Sequence, residues 1–136
     1  MTAAASPPQH EMLVRVVAGD IDDMEHVNNT VYLRWVQDVA TSHWRAVASA
    51  EAQAAFVWVV LRHEIDYKAP ALFGDEVLLR TWVGEASRLT FERHTRIMRP
   101  HDKQLLAQAR TLWCPISSAT GRPARMSAEL RGQFSA

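Results

Sequence analysis

Between Tyr32 and Val47 the apolar positions fall three or four apart. Tyr32, Trp35, Val36, Val39, Ala40, His43, Ala46 and Val47 form one stripe, and Arg34, Gln37, Asp38, Thr41 and Arg45 take the other side. That spacing predicts an amphipathic helix from about Thr30, with Asn28, Asn29 or Thr30 able to cap its start. The Ala-rich stretch Ala46 to Ala55 either continues the helix or holds a short second turn. Before it, Met12 to Val17 is a short apolar run broken by Arg15, which reads as a strand.

After the helix the period becomes two. Phe56 to Leu61 is continuously apolar, and in Arg62 to Lys68 the residues Arg62, Glu64, Asp66 and Lys68 alternate with His63, Ile65 and Tyr67. Together they predict one long strand, buried at its first end and half-exposed at its second. Pro70 and Gly74 mark a loop, and Glu76 to Val83 is the next strand. A turn over Gly84 to Ser87 leads to Leu89 to Met98, where Leu89, Phe91 and Ile97 oppose Glu92, His94 and Arg96. Arg93 and Arg96 are expected on the exposed face. A turn over Pro100 to Lys103 leads to a last strand, Leu105 to Cys114, ended by Pro115 and the Ser117 to Gly121 loop. A short helix from about Ser127 completes the order. Short turns between the last four strands favour antiparallel neighbours. One long helix beside one sheet makes a two-layer α+β domain.

Composition narrows the function classes. A chain of 136 residues suits one domain, taken here as 11–136 behind a disordered lead-in over 1–10. Fifteen basic residues balance fifteen acidic ones, which argues against a nucleic-acid or acidic-membrane binder. Cys114 is the single cysteine, so no intrachain disulfide forms, and it is expected to pack in the interior. The N-terminus lacks a signal-peptide pattern and no apolar run approaches the ~20 residues of a membrane span, so a cytoplasmic protein is expected. His63, His94 and His101 lack metal-ligand spacing, and no metal or other cofactor is expected.

The chemistry concentrates in Gly19–Asp20–Ile21–Asp22–Asp23–Met24–Glu25–His26–Val27–Asn28–Asn29. Three aspartates, a glutamate, an imidazole and two amides lie just before the helix. A helix N-terminus stabilises negative charge through its free N–H groups and dipole. A solvated capping loop is the plain alternative for Asp20, Asp22 and Asp23, because Asp and Asn favour such positions. Asn29 suits either a cap or a site. Neither a Gly-rich phosphate loop nor a Gly-x-Ser-x-Gly elbow is present.

Asp20–x–Asp22–x–x–x–His26–Val27–Asn28–Asn29 followed by Tyr32–Leu33–Arg34–Trp35 resembles the signature of hot-dog-fold acyl-CoA thioesterases of the 4-hydroxybenzoyl-CoA thioesterase-like family. Ile65–Asp66–Tyr67–Lys68 with Pro70, and Gly74–Asp75–Glu76–Val77, resemble it too. The resemblance implies a hot-dog fold, one long helix packed on a curved five-stranded antiparallel sheet. It implies a homodimer or homotetramer with active sites at subunit interfaces. It places the catalytic carboxylate on Asp22 and, by likeness to plant-type acyl-carrier-protein thioesterases, a functional His on His26. The Asn of those enzymes falls on Met24, and the Gly that many relatives carry before His-Val-Asn-Asn is Glu25 here.

The expected reaction is hydrolysis of an acyl-CoA thioester to free acid and CoA. Asp22 would act as general base or nucleophile. His26, Asn28 and Asn29 would orient substrate, water or Asp22. Backbone N–H groups between Asn28 and Val31 would hold the oxyanion. Tyr32, Trp35 and Trp58 are expected to bind the acyl group, and Arg88 the CoA phosphates. An acyl-carrier-protein thioesterase and a non-catalytic acyl-CoA-binding protein are the alternatives.

Overall fold

The computed structural model describes residues 9–135. Five strands and three α-helices follow one another as β1 (Gln9–Arg15), α1 (Asn29–Val47), α2 (Ala50–Ala55), β2 (Phe56–Tyr67), β3 (Glu76–Ala86), β4 (Phe91–Arg99), β5 (Gln104–Ser117) and α3 (Ala128–Ser135). The strands form one antiparallel sheet in the order β1-β3-β4-β5-β2. This is the expected hot-dog arrangement. Among the described residues no helix is long and apolar enough to cross a membrane.

Helix α1 packs its stripe against the sheet. Val31, Tyr32, Trp35, Val36 and Val39 meet Val77, Leu79, Ile97 and Leu106 in one cluster, and the last four of these are fully buried. Burying each such aliphatic side chain contributes roughly 1.5–3 kcal/mol. A second cluster gathers Ala48, Val83, Phe91, Met126 and Leu130 beyond the C-terminal half of α1. The Ala-rich segment resolves into a break at Ala48 and a separate α2, capped by the Ser49 hydroxyl on Ala52 N–H at 3.1 Å.

Several boundaries differ from expectation. Strand β1 starts at Gln9, inside the expected lead-in, whose residues 1–8 lie outside the described residues. It ends at Arg15 because Val16 pairs with the Gly74–Asp75 loop instead. Strand β3 continues through Gly84 to Ala86, so the connection to β4 is Ser87–Thr90. The reason is local: a Cβ on Gly84 would sit 2.9 Å from His94 Nε2, so the glycine serves close strand packing, not a turn. Strand β5 passes through Pro115 because its pairing with β4 stops at Trp113, so the missing N–H breaks no bond of that ladder.

Strand β2 gives the largest surprise. It lies at the sheet edge, so its apolar run alternates: Val57, Val59 and Leu61 are 53%, 42% and 57% exposed. Its register against β5 shifts between Val60 and Arg62, making Leu61 the extra residue of a β-bulge.

Candidate active site

The loop before α1 is a small hairpin closed by a bridge between Ile21 and Val27. Asp22 N–H donates to His26 O at 2.9 Å and Glu25 N–H to Asp22 O at 3.0 Å. Glu25 adopts a left-handed conformation at φ +61°. A turn followed by one left-handed residue is a common three-residue hairpin loop. Glu25 therefore keeps the turn that glycine would favour, at a conformational cost.

Each carboxylate in the loop has its own job. Asp20 is buried, its Oδ2 accepting from Val17 N–H at 3.1 Å and its Oδ1 from Arg34 Nη2 at 2.9 Å. Its carbonyl accepts Asn28 N–H at 2.8 Å. Asp20 thus ties the loop to α1. Asp22 Oδ1 accepts backbone N–H groups of Met24 at 2.9 Å and His26 at 3.4 Å. Its other oxygen takes no hydrogen bond among the described residues. Asp23 is exposed.

Asn28 is the N-cap of α1, its Oδ1 accepting Thr30 N–H at 2.9 Å and the Thr30 hydroxyl at 2.8 Å. Val31 N–H donates to Asn28 O at 2.9 Å. Among the N–H groups of Asn28 to Val31, only that of Asn29 has no acceptor among the described residues.

A cavity of about 330 Å³ opens here, lined by Asp22, His26, Asn29, Tyr32, Tyr67 and Lys68 among others. Four expected site residues therefore meet: Asp22, His26, Asn29 and Tyr32. The His26 ring is exposed and makes no hydrogen bond to the Asp22 carboxylate; the contact between them is backbone. Tyr32 is buried, its hydroxyl accepting Ala71 N–H at 3.0 Å. Burial pushes the Tyr32 phenol up, so it stays protonated. Tyr67 and Lys68 were missed as site residues. Their signal was the Ile65–Asp66–Tyr67–Lys68 motif; the Tyr67 hydroxyl donates to Asn29 O at 3.2 Å and stands edge-on to Tyr32.

Three expected site residues lie elsewhere. Trp35 is buried in the core and lines neither this cavity nor the one described next. Trp58 lines a second cavity of about 600 Å³ between the C-terminal half of α1 and the Phe56 end of β2. Arg88 is exposed in the β3–β4 connection, at that same far end of the molecule. The 19 residues of α1 make the two ends about 28 Å apart.

Arg93 corrects the sequence reading most sharply. It was expected on the exposed face and is 7% exposed, lining the larger cavity. Its Nη1 donates to His43 Nδ1 at 2.9 Å and to the Thr81 hydroxyl at 3.1 Å. Burial lowers the Arg93 pKa to about 10, so the guanidinium stays charged near neutrality. Burial, with Arg93 and then His10 beside it, lowers the His43 pKa to about 4, so His43 is neutral there. Because arginine only donates, the His43 proton sits on Nε2.

The family model of the thioesterase-like superfamily matches residues 16–134. The chain belongs to the thioesterase-like superfamily. A curated relative, a chloroplastic acyl-[acyl-carrier-protein] hydrolase of Cuphea viscosissima, is 27% identical over 78 residues. That match takes in 57% of this chain and 19% of the relative, so the chain spans about a fifth of that protein. A Thermus thermophilus thioesterase solved with coenzyme A and zinc superposes at a TM-score of 0.81, with 24% identity over 96% of this chain and all of that one. A 1,4-dihydroxy-2-naphthoyl-CoA thioesterase of Synechocystis superposes at 0.77, with 22% identity over 88% of this chain and 90% of its own. Such distant identities establish a shared fold.

Proposed function

We propose that this thioesterase-superfamily protein hydrolyses an acyl-CoA thioester to a free acid and CoA, with Asp22 at the reacting carbon. The observation that carries the reading is the Asp22 carboxylate, one oxygen fixed by two backbone N–H groups, on the wall of a cavity shared with the unpartnered Asn29 N–H. Asp22 draws a proton from water, which attacks the thioester carbonyl, or attacks it directly to form a mixed anhydride that water then hydrolyses, freeing the acid and restoring the carboxylate. The carbonyl oxygen gains the negative charge, and the Asn29 N–H at the start of α1 is suited to receive it. The carbon–sulfur bond breaks, and the CoA thiolate leaves and takes a proton. His26 and Lys68 line the approach and position the substrate. A thioesterase of the same fold solved with coenzyme A supports a CoA thioester.

The acting unit is a homodimer made through β2. An edge strand with exposed Val57, Val59 and Leu61 invites antiparallel pairing with its own copy about a twofold axis. Antiparallel pairing sets the Tyr67 end of one β2 against the Phe56 end of the other. It thereby joins the Asp22 cavity of one subunit to the aromatic cavity and Arg88 turn of its partner. Arg88 then meets the CoA phosphates.

Release of CoA followed by a thiol reagent tests the reaction. Asp22→Asn is expected to lower kcat at least ~1000-fold, because the amide can neither take a proton nor attack. Near-normal turnover would remove Asp22 from the mechanism. Rapid acid quenching with peptide mass analysis shows an acyl adduct on Asp22 only for the anhydride route. The similarity to the Cuphea enzyme favours a second reading, an acyl-carrier-protein substrate. Release from acyl carrier protein and not from CoA would establish it.

A further inference from the structure

Among the described residues the larger cavity is lined by two cations, exposed Arg45 and buried Arg93, and by no anion. Arg93 is 7% exposed, and its two hydrogen bonds go to a neutral imidazole and a hydroxyl. The ion pairs among the described residues all use other basic side chains. Buried charges are otherwise paired, because an unpaired one loses its hydration without compensation. Trp58 and Trp113 belong to the same wall, and their indole N–H groups are buried with no hydrogen-bond partner among the described residues. Trp58 stands edge-on to Trp44 and Phe91, both also on the cavity wall, and Phe56 completes an aromatic lining. Water in the cavity would leave the guanidinium without a counter-charge.

We infer that this cavity selects acyl groups carrying a carboxylate at the end far from the thioester, bound by Arg93. The guanidinium fork matches a carboxylate's two oxygens, and His43 and Thr81 hold it in place. The rings accept the flat or aliphatic body between carboxylate and thioester. The inference rests on the acyl-CoA hydrolase reading, since the thioester end must reach the partner's Asp22 loop. Arg93 is then a specificity-determining residue.

Two substrate pairs test it: 4-carboxybenzoyl-CoA against 4-carbamoylbenzoyl-CoA, and adipoyl-CoA against hexanoyl-CoA. In at least one pair the acid-bearing substrate should show a kcat/KM at least tenfold higher, and Arg93→Gln should cut that ratio at least tenfold. The pair giving the larger ratio identifies an aromatic or an aliphatic body. Ratios near one in both pairs, or a ratio unchanged in Arg93→Gln, overturn the inference. If Arg93→Gln does not fold, Arg93→Lys keeps the charge without the fork, and the ratio should fall at least threefold; an unchanged ratio again overturns it. Binding of free benzoate and benzamide, read from tryptophan fluorescence, is independent of hydrolysis. Benzoate should bind at least tenfold more tightly than benzamide, and Arg93→Gln should abolish the difference. If no thioester is cleaved, the hydrolase reading fails, and this binding difference alone upholds or sinks the carboxylate site.

Discussion

At the Tyr67 end of β2, polar groups are numerous and mostly exposed, and the backbone holds several of them. Asp20, Asp22 and Asn28 each accept nearby N–H groups, while one carboxylate oxygen of Asp22 and the N–H of Asn29 stay open among the described residues. At the Phe56 end, the polar groups that stand out are buried. Among the described residues, a guanidinium and two indole N–H groups sit among aromatic rings without an anion. In the proposed function the first end carries the reaction and the second the ligand. Local hydrogen bonds build the loop of the first from a dozen consecutive residues, with Tyr67 and Ala71 added from a distant segment, whereas the second rests on partners such as His43 and Arg93, fifty positions apart.

The proposed dimer joins these ends, so breaking it should be felt at both. Leu61 is 57% exposed on the edge strand and lines neither cavity. Leu61→Lys places like charges near the twofold axis and should convert dimer to monomer in light scattering. The kcat/KM should fall by about 100-fold, as each loop loses the partner's cavity. A monomeric variant with normal turnover would show that one chain holds a complete site.

The next effect separates the two ends by pH. His43 has a pKa of about 4 when folded, below the ordinary value of 6.5. The unfolded chain therefore takes up the proton first as pH falls. His43's contribution is complete above pH 6.5 and is lost as pH drops towards about 4. The loss is roughly 3 kcal/mol across that window. Urea unfolding at several pH values should show that slope, and His43→Gln should flatten it. A slope unchanged in the variant would assign the acid sensitivity to other groups.

The smallest effect concerns the loop. Glu25→Gly removes the left-handed strain at φ +61° and should raise stability by up to ~1 kcal/mol. An equal loss of stability would show that the Glu25 side chain makes its own contribution.

The fold was largely legible because its signals are local. The period of α1 and the pairing of successive strands follow from residues a few positions apart. Asp22, His26, Asn29 and Tyr32 were readable because one loop and one helical turn hold them together. Arg93 was misread although its parity matches Phe91 and Ile97 on the buried face. Its charge argued for solvent, and the alignment of His43 and Thr81 that tolerates it comes only with tertiary packing. The exposure of Val57 and Val59 was hidden for the same reason: a continuous apolar run reads as buried until the strand is known to be an edge.

The bulge at Leu61 makes β2 an adjustable ruler. Before it Phe56, Trp58 and Val60 turn inward, and after it His63 and Ile65 do. Deleting Leu61 would restore an unbroken ladder and leave those same side chains on the inner side. The two ends of the strand would simply draw closer, by at most about 3.3 Å. A lineage could therefore reset the span between scissile bond and acyl terminus by losing or gaining one codon here, without redesigning either end.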